Sequence, residues 1–290
     1  MNPAHLSIAG RSTGHSHRQT IGEILLQSGK LTHEEVELVS DHQKKQGLLF
    51  GEAAQSLGLV EEADVRSGLA KQFDYDYVQP GDAVYPVELV AAYEPYSSQV
   101  EAMRSVRSDL LLGWFNKGHK SLAVISLNPG DGNSFFTANL GLVFSQIGKR
   151  TLLVDANLRS PRMHQIFGLP NKAGLTDMLV GRPGESIACA ERFSHLYVLT
   201  AGTPPPNPQE LLSQASFDEV HKDITDRYDV TLVDTSAFGV GADALMVAAK
   251  VGGVLLTIRK NRTKLTEIDA IGRQLLRLNV QIVGSVLVDF

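Results

Sequence analysis

The chain has 290 residues, a net charge of -5, a pI near 6.0 and a single cysteine, Cys189. The acidic balance points away from a nucleic-acid partner, and one cysteine excludes an internal disulfide and suits a reducing compartment. No apolar run approaches the roughly 18 residues of a membrane span and no signal-peptide core is present, so the sequence reads as a soluble cytoplasmic protein long enough for one small and one ordinary α/β domain.

Residues 1–19 are rich in Ser, Gly, His and Arg without hydrophobic periodicity and read as a disordered arm; His15 and His17 lack further ligands at metal-binding spacing. Residues 20–74 hold an internal repeat with an offset of 29 residues, pairing Gly22 with Gly51, Glu23 with Glu52, Gly29 with Gly58, Val36 with Val65 and Gln43 with Gln72. Each unit reads helix, glycine stop, acidic restart, helix. Thr32 is placed to cap a helix of the first unit, and Glu61, Glu62 and Asp64 complement the dipole in the second. Two such units bury their apolar faces on each other as a small helical domain.

Residues 75–98 carry linker signals in Pro80, Gly81, Asp82, Pro86, Pro95 and Ser97, and hold five of the seven tyrosines: Tyr75, Tyr77, Tyr85, Tyr93 and Tyr96. Aromatic residues in linkers more often anchor than react, so anchoring is the first reading and exposure as phosphate acceptors the second. From residue 99 the chain reads as one α/β domain to residue 290. It opens on a helix with Glu101, Arg104 and Arg107 at three-residue spacing, on their own a solvated charged side.

The stretch 121–159 organises this domain. Residues 122–127 form an apolar strand that stops at the turn cluster Asn128-Pro129-Gly130-Asp131-Gly132. A helix follows with Ser134 in its first turn and an apolar face through Ala138, Leu140, Leu142, Val143 and Ile147. Residues 151–154 are the next strand, and Asp155 stands at its carboxyl end. A glycine-rich turn between a strand and a helix presents amides and a helix N-terminus to an anion. Tested against G-x-x-x-x-G-K-[ST], only Gly132 and Ser134 fit. Leu127 replaces the first glycine and Asn133 the lysine, which leaves nucleotide binding and a phosphate-free turn equally open. Residues 232–235, Leu-Val-Asp-Thr, then supply a second apolar strand ending in an acid, Asp234, in the form that holds Mg²⁺. Either acid alone reads more simply as a cap or a loop acid.

Strands at 195–201, 229–234, 253–258 and 281–288 alternate with helices at 208–212, 242–249 and 265–278. The expected fold is therefore α/β, a P-loop NTPase-like parallel sheet with helices on both faces, preceded by the helical domain. Ligands in such sheets bind outside the carboxyl ends of the strands, where the loop, Asp155 and Asp234 lie.

The run 129–159, Phe167-Gly168-Leu169, Gly174-Leu175, AGTPPPNPQELL at 201–212 and VDTSAF at 233–238 resemble the bacterial tyrosine-kinase family, in the branch that accompanies exopolysaccharide chain-length determinants. The resemblance implies ATP and Mg²⁺ as ligands, with Pro129, Gly130, Asp131, Gly132, Asn133, Ser134 and Phe135 as the nucleotide loop. It implies Ser134, Asp155 and Asp234 at the metal and Asp155, Asn157 and Asp234 at the catalytic positions. It also implies a homo-oligomer through Glu101, Arg104 and Arg107, and recruitment to the inner membrane by a membrane-embedded chain-length determinant. Three departures weigh against ordinary catalysis. Asn133 carries no charge where the family has lysine, Asn157 cannot take a proton where an acid is expected, and no tyrosine follows Tyr228. Lys149, Arg159 or a neighbour's Arg104 are the candidate replacement cations. A catalytically impaired nucleotide-sensing scaffold is the alternative, and a partitioning-type ATPase a third reading, disfavoured because Asn128-Pro129 stands where those proteins carry an early lysine. The N-terminal repeat resembles the N-terminal domain of type II secretion and pilus ATPases, some of which bind cyclic di-GMP through an Arg ahead of each unit. Thr20 and Leu49 occupy those places, so a docking or structural module is preferred to dinucleotide binding.

Overall fold

The computed structural model describes residues 19–72, 78, 85–182 and 187–289. His15 and His17, Tyr75 and Tyr77, and the turn at 80–82 lie outside the described residues. The chain divides into two compact units, Met1–Tyr75 and Asp76–Phe290.

The first unit contains α1 (Ile21–Gln27), α2 (His33–Gln46), α3 (Phe50–Ser56) and α4 (Glu62–Gln72). Thr32 caps α2 as its sequence position suggests: its hydroxyl accepts the Glu35 amide at 3.3 Å while the Glu35 carboxylate accepts the Thr32 amide at 2.7 Å. Thr20 and Glu23 make the same reciprocal pair on α1, at 3.4 and 2.7 Å. Leu49 has no side-chain oxygen to offer α3, and only Glu52 reaches back, to the Leu49 amide at 2.9 Å. Gly29 and Gly58 turn the chain at φ +69° and +67°, a region that costs little only for glycine. Gly51 is held by crowding, because a Cβ there would lie 2.5 Å from Val65 Cγ1. The unit closes on a small core of Leu25, Leu31, Val39, Ala53, Ala54, Val60 and Val65.

In the second unit, α5 (Val90–Tyr93) and α6 (Ser98–Gly113) precede β1 (Ser121–Ser126), α7 (Asn133–Ser145) and β2 (Thr151–Asp155). Then follow α8 (Met163–Ile166), α9 (Leu175–Leu179), β3 (Ile187–Cys189), β4 (Leu196–Leu199), α10 (Pro208–Ser213), α11 (Ala215–Arg227) and β5 (Val230–Asp234). The unit ends with α12 (Asp243–Val251), β6 (Gly253–Arg259), α13 (Leu265–Arg277) and β7 (Gln281–Val288). The strands form one sheet in the order β3-β4-β2-β5-β1-β6-β7. Alternate residues of β1 feed opposite cores, Leu122 and Val124 one, Ala123 and Ile125 the other, so helices cover both faces. The sheet is parallel except at one edge, where β3 runs antiparallel to β4. That edge strand is absent from the sequence reading because three residues are too few to show a period. The helix that opens at Pro208 stops at Ser213, and the amphipathic α11 resumes at Ala215.

The stretch from Tyr85 to Ser97 is bound to this unit. Leu89, Ala91 and Ala92 are wholly buried. Asn139, buried on α7, accepts the Ala91 amide at 2.9 Å and donates to Glu88 O at 3.2 Å and Phe135 O at 2.9 Å. Tyr85 packs between Phe167 and Phe193, and its hydroxyl donates to Glu191 O. Burial, reinforced by Glu191, pushes its phenol up to about 12. Tyr85 is therefore an anchor, and its hydroxyl is not available as a phosphate acceptor in this form. No helix among the described residues is long and apolar enough to cross a membrane.

Candidate nucleotide and metal site

The loop between β1 and α7 takes its shape from two glycines, Gly130 at φ +78° and Gly132 at φ +83°. Asp131 is buried inside the turn, where its Oδ2 accepts the Asn128 amide at 2.9 Å. The loop edges a cavity of about 820 Å³ whose other walls include Asn157, Arg162, Gln165, Leu89 and Val87. That volume accommodates a nucleotide-sized ligand.

Asn133 edges the cavity, and its side-chain amide is bonded to the sheet. Its Nδ2 donates to Val124 O at 2.8 Å and to Asp234 Oδ1 at 2.7 Å, and its Oδ1 accepts the Thr257 hydroxyl at 2.8 Å. The amide's hydrogens are thus committed to β1 and β5. In this form the Asn133 side chain braces the sheet, because a short buried amide finds its acceptors there.

Asp155 and Asp234 sit side by side in the β2–β5 register, both inaccessible to solvent. Asp155 Oδ1 accepts the Asn157 amide at 3.2 Å, and Oδ2 accepts those of Arg162 and Met163, both at 2.9 Å. It therefore caps α8. Burial raises its carboxyl to about 6, against the pull of these three amides. Asp234 is raised well above the ordinary carboxylate range, first by burial and then by the charge of Asp155, with Ser134 and Asn133 opposing. Its Oδ1 holds Asn133, while its Oδ2 is buried with no hydrogen-bond partner.

An orphaned buried carboxylate oxygen beside a second carboxylate and a hydroxyl suits a hard cation that keeps some waters and shares phosphate oxygens, which is the habit of Mg²⁺. Among the described residues there is no cluster of three or more His, Cys, Asp or Glu that forms an all-protein metal cage. The residues fit a metal brought with a nucleotide, not a resident structural ion.

No family model matches the chain. It is 37% identical over 177 residues to the tyrosine-protein kinase YwqD of Bacillus subtilis, a match spanning 61% of this chain and 75% of that protein. The chain belongs to the bacterial tyrosine-kinase family. The kinase domain of the Escherichia coli tyrosine kinase ETK superposes with a TM-score of 0.66 at 29% identity, covering 69% of this chain and 78% of that one. The septum site-determining protein MinD of Pyrococcus horikoshii, solved with Mg-ADP, shares the fold at a TM-score of 0.51 and 23% identity, covering 58% of this chain and 70% of that one.

Ser134 lines the cavity from the first turn of α7, and Pro129, Gly130, Asp131, Gly132 and Phe135 line it beside Ser134. Asn157 Oδ1 accepts the Ser160 amide at 3.2 Å and so closes its own turn. Arg159 reaches the cavity wall, but its fork is taken by the buried Asp243, at 2.5 and 3.1 Å. Lys149 precedes β2 and lines a small cleft with Asp229 and Val230 at the amino ends of the strands, the far side of the sheet. Arg104 pairs with Glu101 at 3.0 Å, and Arg107 donates to Val143 O at 3.0 Å near the end of α7. Of these three only Glu101 is largely exposed. The sequence reading missed Thr257 and Asn139, lone polar residues in apolar runs. It also missed Arg259 and Arg262, whose signal was a basic cluster directly after a strand.

Proposed function

We propose that this chain is an ATP- and Mg²⁺-binding protein-tyrosine kinase component of exopolysaccharide chain-length control and export, partnered in the cytoplasm with a membrane-embedded chain-length determinant. The observation that carries the reading is the buried Asp155–Asp234 pair, one oxygen unpartnered, beside a glycine-shaped loop at the carboxyl ends of β1, β2 and β5. Family membership and the Mg-ADP of the MinD structure support the choice of ligand.

Backbone amides of the loop and the N-terminus of α7 receive the phosphates, and Ser134, Asp234 and Asp155 hold the metal. The ion, when bound, neutralises phosphate charge. Asn133 fixes one oxygen of Asp234 and leaves the other for the metal. Asn157 accepts no proton, so an acceptor hydroxyl is positioned at this site and not deprotonated by that side chain. The side of α6 that carries Glu101, Arg104 and Arg107 is read as the self-assembly surface, and residues 20–74 as a docking module.

Asn133 and Asn157 also favour a second reading, a nucleotide-sensing scaffold without transfer activity. Incubation of the purified chain with labelled ATP, Mg²⁺ and a partner's cytoplasmic segment separates the two. Label on tyrosine supports the kinase, nucleotide binding without transfer supports the scaffold, and the absence of both contradicts the site.

A further inference from the structure

The loop, residues 128–135, contains no cation and one anion, Asp131. Two guanidinium groups hold it from outside. Arg259 ends β6, and Arg262 lies in the turn before α13. Arg259 Nη1 donates to Gly130 O at 2.9 Å, and Arg262 Nη2 donates to Pro129 O at 3.3 Å. Arg262 Nη1 also stands 3.7 Å from Asp131 Oδ1, a buried oxygen with no hydrogen bond of its own.

In a trans peptide the carbonyl and the following amide point to opposite sides of the plane. Drawing the Pro129 carbonyl toward Arg262 therefore turns the Gly130 amide the other way, while the Asp131 amide stays inside the turn on Asn128 O at 3.3 Å. The same contacts place two positive charges against a loop that must accept several negative ones, and Arg262 offsets the one acid inside it. The candidate replacements from the sequence are engaged elsewhere: Arg159 with Asp243, Arg104 with Glu101, and Lys149 at the opposite end of the sheet.

We infer that Arg259 and Arg262 are the positioning residues of the phosphate loop, fixing its amides for an anion and supplying from the β6–α13 turn the positive charge that Asn133 lacks. The inference rests on the proposed nucleotide site. It is tested by calorimetric titration of Mg-ATP into the full chain at low and moderate salt, with circular dichroism confirming that each variant is folded. Arg259→Gln with Arg262→Gln keeps donors to the loop but removes charge. It is expected to weaken binding about tenfold and to flatten the salt dependence. Arg259→Lys with Arg262→Lys keeps charge and is expected to retain most of the affinity. Adding Asn133→Lys to the Gln pair is expected to restore much of the loss by returning a cation to the loop. A Gln pair that binds like the parent overturns the inference while leaving the nucleotide site standing. Loss that Asn133→Lys does not relieve, with unchanged salt dependence, overturns the charge assignment. A parent chain that binds no Mg-ATP overturns the site itself and this inference with it.

Discussion

In the helical unit the polar bonds that set the helices are local, Thr20 with Glu23 and Thr32 with Glu35, each three residues apart. At the carboxyl ends of β1, β5 and β6 they are long-range: Asn133 meets Asp234 across 101 positions and Thr257 across 124. The first arrangement is exposed and worth tenths to about 1 kcal/mol per cap, whereas the second is buried, where an unmet polar atom costs about 1–3 kcal/mol. A region stabilised by local bonds tolerates their loss one at a time. A buried network fails as a whole when one member goes, and here it leaves one carboxylate oxygen unmet.

The sharpest way to break this contrast is Asp234→Ala. It strips Asn133 of an acceptor and the site of its unpartnered oxygen, so Mg-ATP affinity is expected to fall about a hundredfold or more by calorimetry. Retained affinity would show that the buried network does not serve the ligand.

Next comes pH. The native state holds the Asp155 proton up to about 6, whereas an unfolded Asp releases its own near the ordinary carboxylate value. In a Mg²⁺-free buffer the stability of the second unit is therefore fullest below that ordinary value. It is lost as pH rises through about 6, because the native state must then carry a buried charge on Asp155, and it falls further as Asp234, held higher by burial and by the Asp155 charge, gives up its proton. Thermal melts at pH 5 and 7.5 in chelator should show the lower melting temperature at pH 7.5. Asp155→Asn should shrink the difference, and a flat profile in the parent would contradict the assignment.

In the helical unit, Gly51→Ala places a methyl 2.5 Å from Val65 Cγ1 and is expected to cost about 1–3 kcal/mol, read as lost amide protection in α3 and α4. Thr32→Ala is expected to cost only about 1 kcal/mol, read as fraying of the first turn of α2 in hydrogen exchange. An equal or larger effect at Thr32 would reverse the ranking that the two regions imply.

The same contrast explains what was legible in the sequence. The 29-residue offset, the glycine turns and the Thr32 cap are local signals, and they name the helical unit residue by residue. The strand-turn-helix at 121–145 and the apolar strand ending in Asp234 carry local signatures too, so the sheet and the place of the site were readable. The inward turn of Asn133 was not. Its partners Val124, Asp234 and Thr257 lie on three strands whose adjacency exists only after the sheet order β5-β1-β6 is formed. The partners that anchor Tyr85 were hidden for a similar reason, since Phe167, Phe193 and Glu191 are distant in sequence. The short β3 carried no period to read, and its pairing depends on β4 alone.

The most direct test of the central claim is the Mg²⁺ dependence of nucleotide binding by the unaltered chain. Calorimetric titration with ATP should give a dissociation constant between micromolar and millimolar with Mg²⁺ present, and at least about tenfold weaker binding in chelator, because the unpartnered oxygen of Asp234 finds its use only with the cation. The same affinity with and without Mg²⁺, or no heat in either buffer, would contradict the assignment of Asp155, Asp234 and Ser134 as a metal-nucleotide site.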